Sequence, residues 1–347
     1  MRTTHTVVAI LALCLGVACS RAPDPTAWRE PTPCGDDCCD ADYLALPGDL
    51  GPGPGAVGDA ELALRLEALR THEASRFEGR WTRRRLRRDL VRELHAEPLL
   101  ASLEGQRAPV ALSPAEVVHG VTQHRVRWTD PLVGEIEGLL LLPLDDEVGT
   151  RPAIVGLHGH NEDASDFALE SGGYALARAG FVVAVPAMRA NGEGRCESET
   201  ALALLRAGWS LMAVRTYEVL RVHQWLAARP DVDADRIGLV GHSGGATVGS
   251  VAVRLSDGFE AFVSDFTSEF SMVEEGPSGV RIIDETSPAL HPYRMLLADL
   301  STLPIPALRV DYGAAGEPEG QAQIEEFLVE QLVNRVDRSR APQQDIE

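Results

Sequence analysis

The chain has 347 residues, 44% of them hydrophobic, which supports one sizeable core with appendages rather than two large domains. Its formal net charge of −20 sets up a field that repels nucleic acid and anionic lipid, so no nucleic-acid partner is expected. All of the basic Lys/Arg-type side chains are arginine, which excludes a serine–lysine dyad and any lysine Schiff base.

The opening residues, "MRTTHTVVAILALCLGVACS", join a basic start to an apolar run over 6–18. About a dozen apolar residues fall short of the roughly twenty that cross a bilayer, so residues 1–19 are expected to be a secretory signal peptide. "LGVAC" makes Cys19 a candidate lipid-attachment site, although Gly16 departs from the leucine of a lipoprotein box. The expected location is the bacterial cell envelope, anchored through a lipid on Cys19, or outside the cell. In that setting Cys34, Cys38, Cys39 and Cys196 can pair in three ways, and their spacing does not choose among them. "CGDDCCD" lacks a second ligand pair, so disulfides or free thiols are expected there and no metal site.

Residues 20–58, including "PGDLGPGPGAVGD", lack apolar periodicity and read as a disordered linker. Over 59–104 leucines recur at helical intervals, with Leu86, Leu90 and Leu94 the clearest run, which predicts an N-terminal helical segment. The arginine-dense "RWTRRRLRRDLVREL" is interleaved with Asp89 and Glu93, and so reads as a solvated helix face.

Residues 105–337 carry the pattern of an α/β domain, ahead of a flexible tail at 338–347. Segments 117–128 and 135–142 alternate and are joined through "TDPLVG", which predicts an antiparallel hairpin. Short apolar strands then alternate with helices. In order these are "PAIVGLHG", a helix through "ASDFALESGGYALARAG", "FVVAVPA", a long helix over about 200–228, and "RIGLVG" followed by a helix over 244–255. "FEAFVSDF", "PALRVDYG" and a closing helix in "QAQIEEFLVEQLVNRV" complete the run. The predicted fold class is therefore α/β, with a doubly wound, mostly parallel sheet behind an antiparallel N-terminal hairpin.

The most informative stretch is "RIGLVGHSGGATVG" at 236–249. An apolar strand, the turn Gly241-His242-Ser243-Gly244-Gly245 and a helix of small residues form a nucleophile elbow. Small neighbours are needed because strand and helix backbones pass close together there. The amide of Gly244 is placed to donate to an oxyanion at a helix N-terminus. After the first parallel strand, "GLHGHNEDASDF" offers the amide of His160 or Asn161 as the second donor. His158 and His160 alone make no zinc site, because a third ligand is missing.

From about 81 to 319 the chain resembles the α/β-hydrolase superfamily, in its dienelactone hydrolase and acetyl xylan esterase-like branch. The resemblance rests on the arginine-rich leading helix, "GLLLLP", "LHGH", "GFVVAVPAMRANGEG", "ARPDVDADRIGLVGHSGG", "AFVSDF" and "HPY". It implies an exported hydrolase of carboxylic esters, on small or carbohydrate-borne substrates, with Ser243 as nucleophile and no cofactor. It also implies an acid and a histidine after the last two strands. Glu317 is the first candidate acid, followed by Glu319 and Asp311, with Asp265 after the sixth strand as another. No histidine and no eighth strand follow "GEPEG", so the last strand is expected to be missing. His291, His158 or His160 are candidate replacements for the base, whereas His242 is expected to point away from Ser243. The alternative reading is a catalytically impaired hydrolase-fold envelope protein, a pseudoenzyme that binds a ligand or partner.

Overall fold

A computed structural model describes residues 26–28, 82–104, 107–145, 149–190, 197–265, 274–276, 279–281, 297, 299–311 and 314–334. The expected signal peptide, all but three residues of the linker, every cysteine, His291 and the tail lie outside the described residues.

Two helices lead in, α1 (Arg83–Glu93) and α2 (Glu97–Leu103). Thr82 caps α1, its hydroxyl accepting from the Arg85 amide at 3.3 Å. Leu86 and Leu90 turn into the core. The arginines are more than a solvated face. Arg85, Arg88 and Arg92 surround the buried Asp89 carboxylate, and Arg83 and Arg87 both reach Asp257.

The sheet is built from β1 (Val110–Leu112), β2 (Glu116–Val118), β3 (Val121–Asp130), β4 (Gly134–Pro143), β5 (Arg151–Leu157), β6 (Val182–Pro186), β7 (Val232–Gly241), β8 (Ala261–Ser264) and β11 (Ala307–Arg309). A separate antiparallel ribbon pairs β9 (Glu274–Gly276) with β10 (Gly279–Arg281). The order across the main sheet is β1-β3-β4-β6-β5-β7-β8-β11, with β2 folded back on β3. Pairing from β6 through β11 is parallel, and β1 to β4 are antiparallel to their neighbours. The expected strand at 117–128 is thus two strands, parted at His119 and Gly120, both at positive φ. The β3–β4 hairpin closes where Asp130 Oδ1 accepts from the amides of Leu132 (2.8 Å) and Val133 (3.1 Å).

Alternation along the strands divides the core between two faces. Ala153, Val155, Ile237 and Leu239 face α1, α2, α6 (Leu211–Ala227) and α7 (Gly244–Leu255). Ile154, Val183, Val240 and Val263 face α3 (Ala164–Glu170), α4 (Gly173–Arg178) and α8 (Pro318–Leu328). Burial on both sides explains why the parallel strands read as continuous apolar runs. Two expected helices are each broken once. Gly172 at φ 87° separates α3 from α4, and Gly208 at φ 87° separates α5 (Glu197–Arg206) from α6, which Ser210 caps through Ala213 N at 3.0 Å.

Among the described residues the sheet ends on β11. β5 has β6 on one side and β7 on the other, so the chain winds outward in both directions from it. The carboxyl ends of β5 and β7 at such a switch point are where doubly wound sheets generally form ligand sites.

Candidate active site

Ser243 stands at the end of β7 and caps α7, at φ 46° and ψ −116°. A side chain held at that positive φ costs on the order of 1–3 kcal/mol, so the surroundings must enforce it. They do so by close backbone approach. A Cβ on Gly245 would stand 2.6 Å from the His158 carbonyl oxygen and closer still to that of Leu157, and one on Gly241 would stand 2.6 Å from Ala246 N. His242 N donates to Leu157 O at 2.9 Å, tying the elbow to the end of β5. Ser243 is half-buried, and no acceptor among the described residues takes the Gly244 amide, an orphan donor of the helix start.

Three ionisable side chains from three loops converge beside this turn. Asp265, fully buried just past β8, accepts from Ser243 N at 2.8 Å with Oδ1 and from His242 Nδ1 with Oδ2. On its other side His242 Nε2 lies 3.1 Å from Glu162 Oε1, and Glu162 Oε2 accepts from Gly159 N at 2.6 Å. Burial alone would lower the His242 pKa. The hydrogen bonds and charges of Asp265 and Glu162 outweigh it and raise it to about 10. At neutral pH His242 is therefore an imidazolium clamped between two carboxylates. Burial would raise the pKa of Glu162, but the His242 hydrogen bond and the Gly159 amide hold it below its ordinary 4.5.

His158 is buried with both ring nitrogens engaged: Nε2 accepts from Met188 N at 2.9 Å, which leaves Nδ1 to donate to Gly159 O at 3.0 Å. Burial dominates and lowers its pKa to about 4, so it is a neutral strut beneath the loop. His160 Nε2 lies 3.6 Å from Glu197 Oε1, which also takes Arg215 Nη1 at 2.8 Å. Burial opposes the Glu197 charge, but His160 and Arg215 prevail and hold the pKa at about 2. Asn161 is exposed at φ 58°, where an asparagine is tolerated at a tight bend. Among the described residues, no group of three or more His, Cys, Asp or Glu side chains is arranged to hold a metal ion.

No protein-family model and no curated protein sequence matches the chain. Solved structures do. A Bacteroides fragilis protein assigned as an acetyl xylan esterase is similar at a TM-score of 0.55 and 15% identity, over 77% of this chain and 80% of that one. The acetyl xylan esterase of Paenibacillus sp. R4 is similar at a TM-score of 0.52 and 13% identity, over 69% of this chain and 94% of that one. The fold is that of the α/β hydrolases.

Within this α/β-hydrolase fold the candidate residues separate. Ser243, Gly244, His160, Asn161 and Asp265 lie at the carboxyl ends of β5, β7 and β8. Glu317 does not join them by any described contact. It is exposed at the N-cap of α8, in a turn whose Gly316 packs on the Glu170 carbonyl. Glu319 and Asp311 are likewise exposed, and His291 lies outside the described residues. His242, expected to point away from Ser243, has its ring gripped by two carboxylates at the elbow. Glu162 carried no signal in the sequence, since three residues after Gly159 is no motif spacing. Among the described residues, no imidazole nitrogen makes a hydrogen bond to the Ser243 hydroxyl.

Proposed function

We propose that the chain is an exported carboxylic ester hydrolase that uses Ser243 as its nucleophile. The observation that carries the reading is the backbone of Ser243, held at φ 46° between a buried strand and a glycine-lined helix start. A strained serine is retained where its oxygen must face a crevice. The Gly244 amide, with an amide from His160 or Asn161, supplies donors for the oxyanion of a tetrahedral intermediate. Asp265 holds the elbow through the Ser243 amide. The similar structures named as acetyl xylan esterases support a small or carbohydrate-borne acyl ester as substrate. Export, and attachment through Cys19, rest on the N-terminal sequence alone.

The test is incubation of the pure protein with short-chain nitrophenyl esters and with a fluorophosphonate probe. Turnover and labelling that vanish in Ser243→Ala are expected. Labelling of wild type no greater than of that variant would overturn the reading.

One observation favours a second reading, a hydrolase-fold protein that binds an ester-like ligand without turning it over. His242, the imidazole nearest the elbow, is occupied on both nitrogens. Stoichiometric ligand binding with no turnover would support this reading, and ester turnover at ordinary enzyme rates would end it.

A further inference from the structure

A serine hydroxyl needs a proton acceptor, and among the described residues no imidazole nitrogen is bonded to it. His158 spends both nitrogens on backbone groups, and His242 spends both on carboxylates. Two carboxylates border Ser243: Asp265 meets its backbone amide and commits its other oxygen to His242, whereas Glu162 meets its side chain. A Cβ on Gly159 would stand 3.0 Å from Glu162 Oε2, 3.1 Å from Ser243 Cβ and 2.9 Å from His242 Cδ2, so all three pack on one backbone carbon. A carboxylate offers about four lone-pair sites, and Glu162 commits one oxygen to Gly159 N and the other to His242. Room remains on Oε2 for a further donor. The shared packing sets Ser243 and Glu162 side by side, and catalytic hydrogen bonds often form only once substrate is bound.

We propose that Glu162 is the general base of this site and that His242 is a fixed cation which orients it. This rests on Ser243 being the nucleophile. As the Ser243 oxygen bonds to the acyl carbon, its O–H bond breaks and the proton passes to Glu162. Collapse of the tetrahedral adduct breaks the bond to the alcohol oxygen, and Glu162 returns the proton to that leaving group. A water then repeats both steps to release the acid. The titratable groups facing Glu162 are His242 from the elbow and the neutral His158 from the end of β5, while Asp265 from β8 faces His242 on the far side. Asp265 thereby holds the imidazolium in place and keeps it from competing for the serine proton.

A carboxylate base held below 4.5 leaves a signature that an imidazole base does not. The rate of fluorophosphonate labelling and kcat/KM for a nitrophenyl ester should stay level from pH 7 down to about 5. With a histidine base of ordinary pKa they would fall about tenfold per pH unit below 6.5. Glu162→Gln should slow labelling about 100-fold or more at pH 7, in line with the usual worth of a general base. Glu162→Asp should restore part of it, and far-UV circular dichroism should show both variants folded. A profile that falls with a midpoint between 6 and 7 would overturn the proposal. So would Glu162→Gln labelling at the wild-type rate, or His291→Gln abolishing labelling where Glu162→Gln does not. Absence of Ser243 labelling in wild type would be a different failure, that of the hydrolase reading itself, and this inference would fall with it.

Discussion

Replacing Asp265 by asparagine removes one jaw of the clamp on His242 while keeping the volume of the side chain. Raising a histidine from its ordinary 6.5 to about 10 is worth roughly 5 kcal/mol, at about 1.4 kcal/mol per tenfold change in proton affinity. Because the folded pKa is the higher one, this stabilisation is fully present below pH 6.5 and is lost as the pH rises through about 10. Asp265 makes the strongest of the favourable interactions with His242 and also accepts from Ser243 N at 2.8 Å. Asparagine keeps one acceptor and turns an amide group towards a donor. The variant should therefore lose about 3 kcal/mol at pH 7, within the range for breaking a buried ion pair from one side. Urea unfolding followed by circular dichroism measures the loss. The variant's stability should also change less between pH 7 and 10 than that of wild type. Imidazole proton resonances should show His242 titrating well below 10. An unchanged urea midpoint at pH 7, or a His242 titration still near 10, would refute the clamp as the source of the charge.

Three other perturbations test the frame around the site. Gly245→Ala drives a methyl into the carbonyl oxygens of Leu157 and His158, both backbone and unable to yield, so it should cost at least about 3 kcal/mol or prevent folding. A thermal midpoint within a few degrees of wild type would show that the helix can retreat. Asp130→Ala strips a buried carboxylate that takes Arg221 Nε at 2.7 Å, Tyr217 Oη at 2.8 Å and two hairpin amides, and about 3–5 kcal/mol should be lost in urea unfolding. His158, held neutral with its pKa lowered to about 4, carries the opposite pH dependence to His242. Its contribution is present above pH 6.5 and drains away as pH falls towards 4, by about 3 kcal/mol in all. His158→Gln should unfold with a visibly shallower acid limb in a pH series of urea midpoints.

The amino-acid sequence by itself determined the strand–helix alternation and the elbow. Both are written in local terms. Alternate apolar residues of β5 and β7 are buried on opposite faces of the sheet, and Gly241 and Gly245 are the residues a strand–turn–helix crossing demands. The breaks at Gly172 and Gly208 were missed because a single glycine inside an apolar helical period is compatible with either a bend or a continuous helix. Only the tertiary structure decided the electrostatics around Ser243. Glu162, His242 and Asp265 sit on loops after three different strands, and they meet because the order β5-β7-β8 places those strand ends side by side. Charge interactions depend on separations of a few ångströms between elements far apart along the chain. A residue pattern fixes which side chains are buried, but not which buried charges become neighbours.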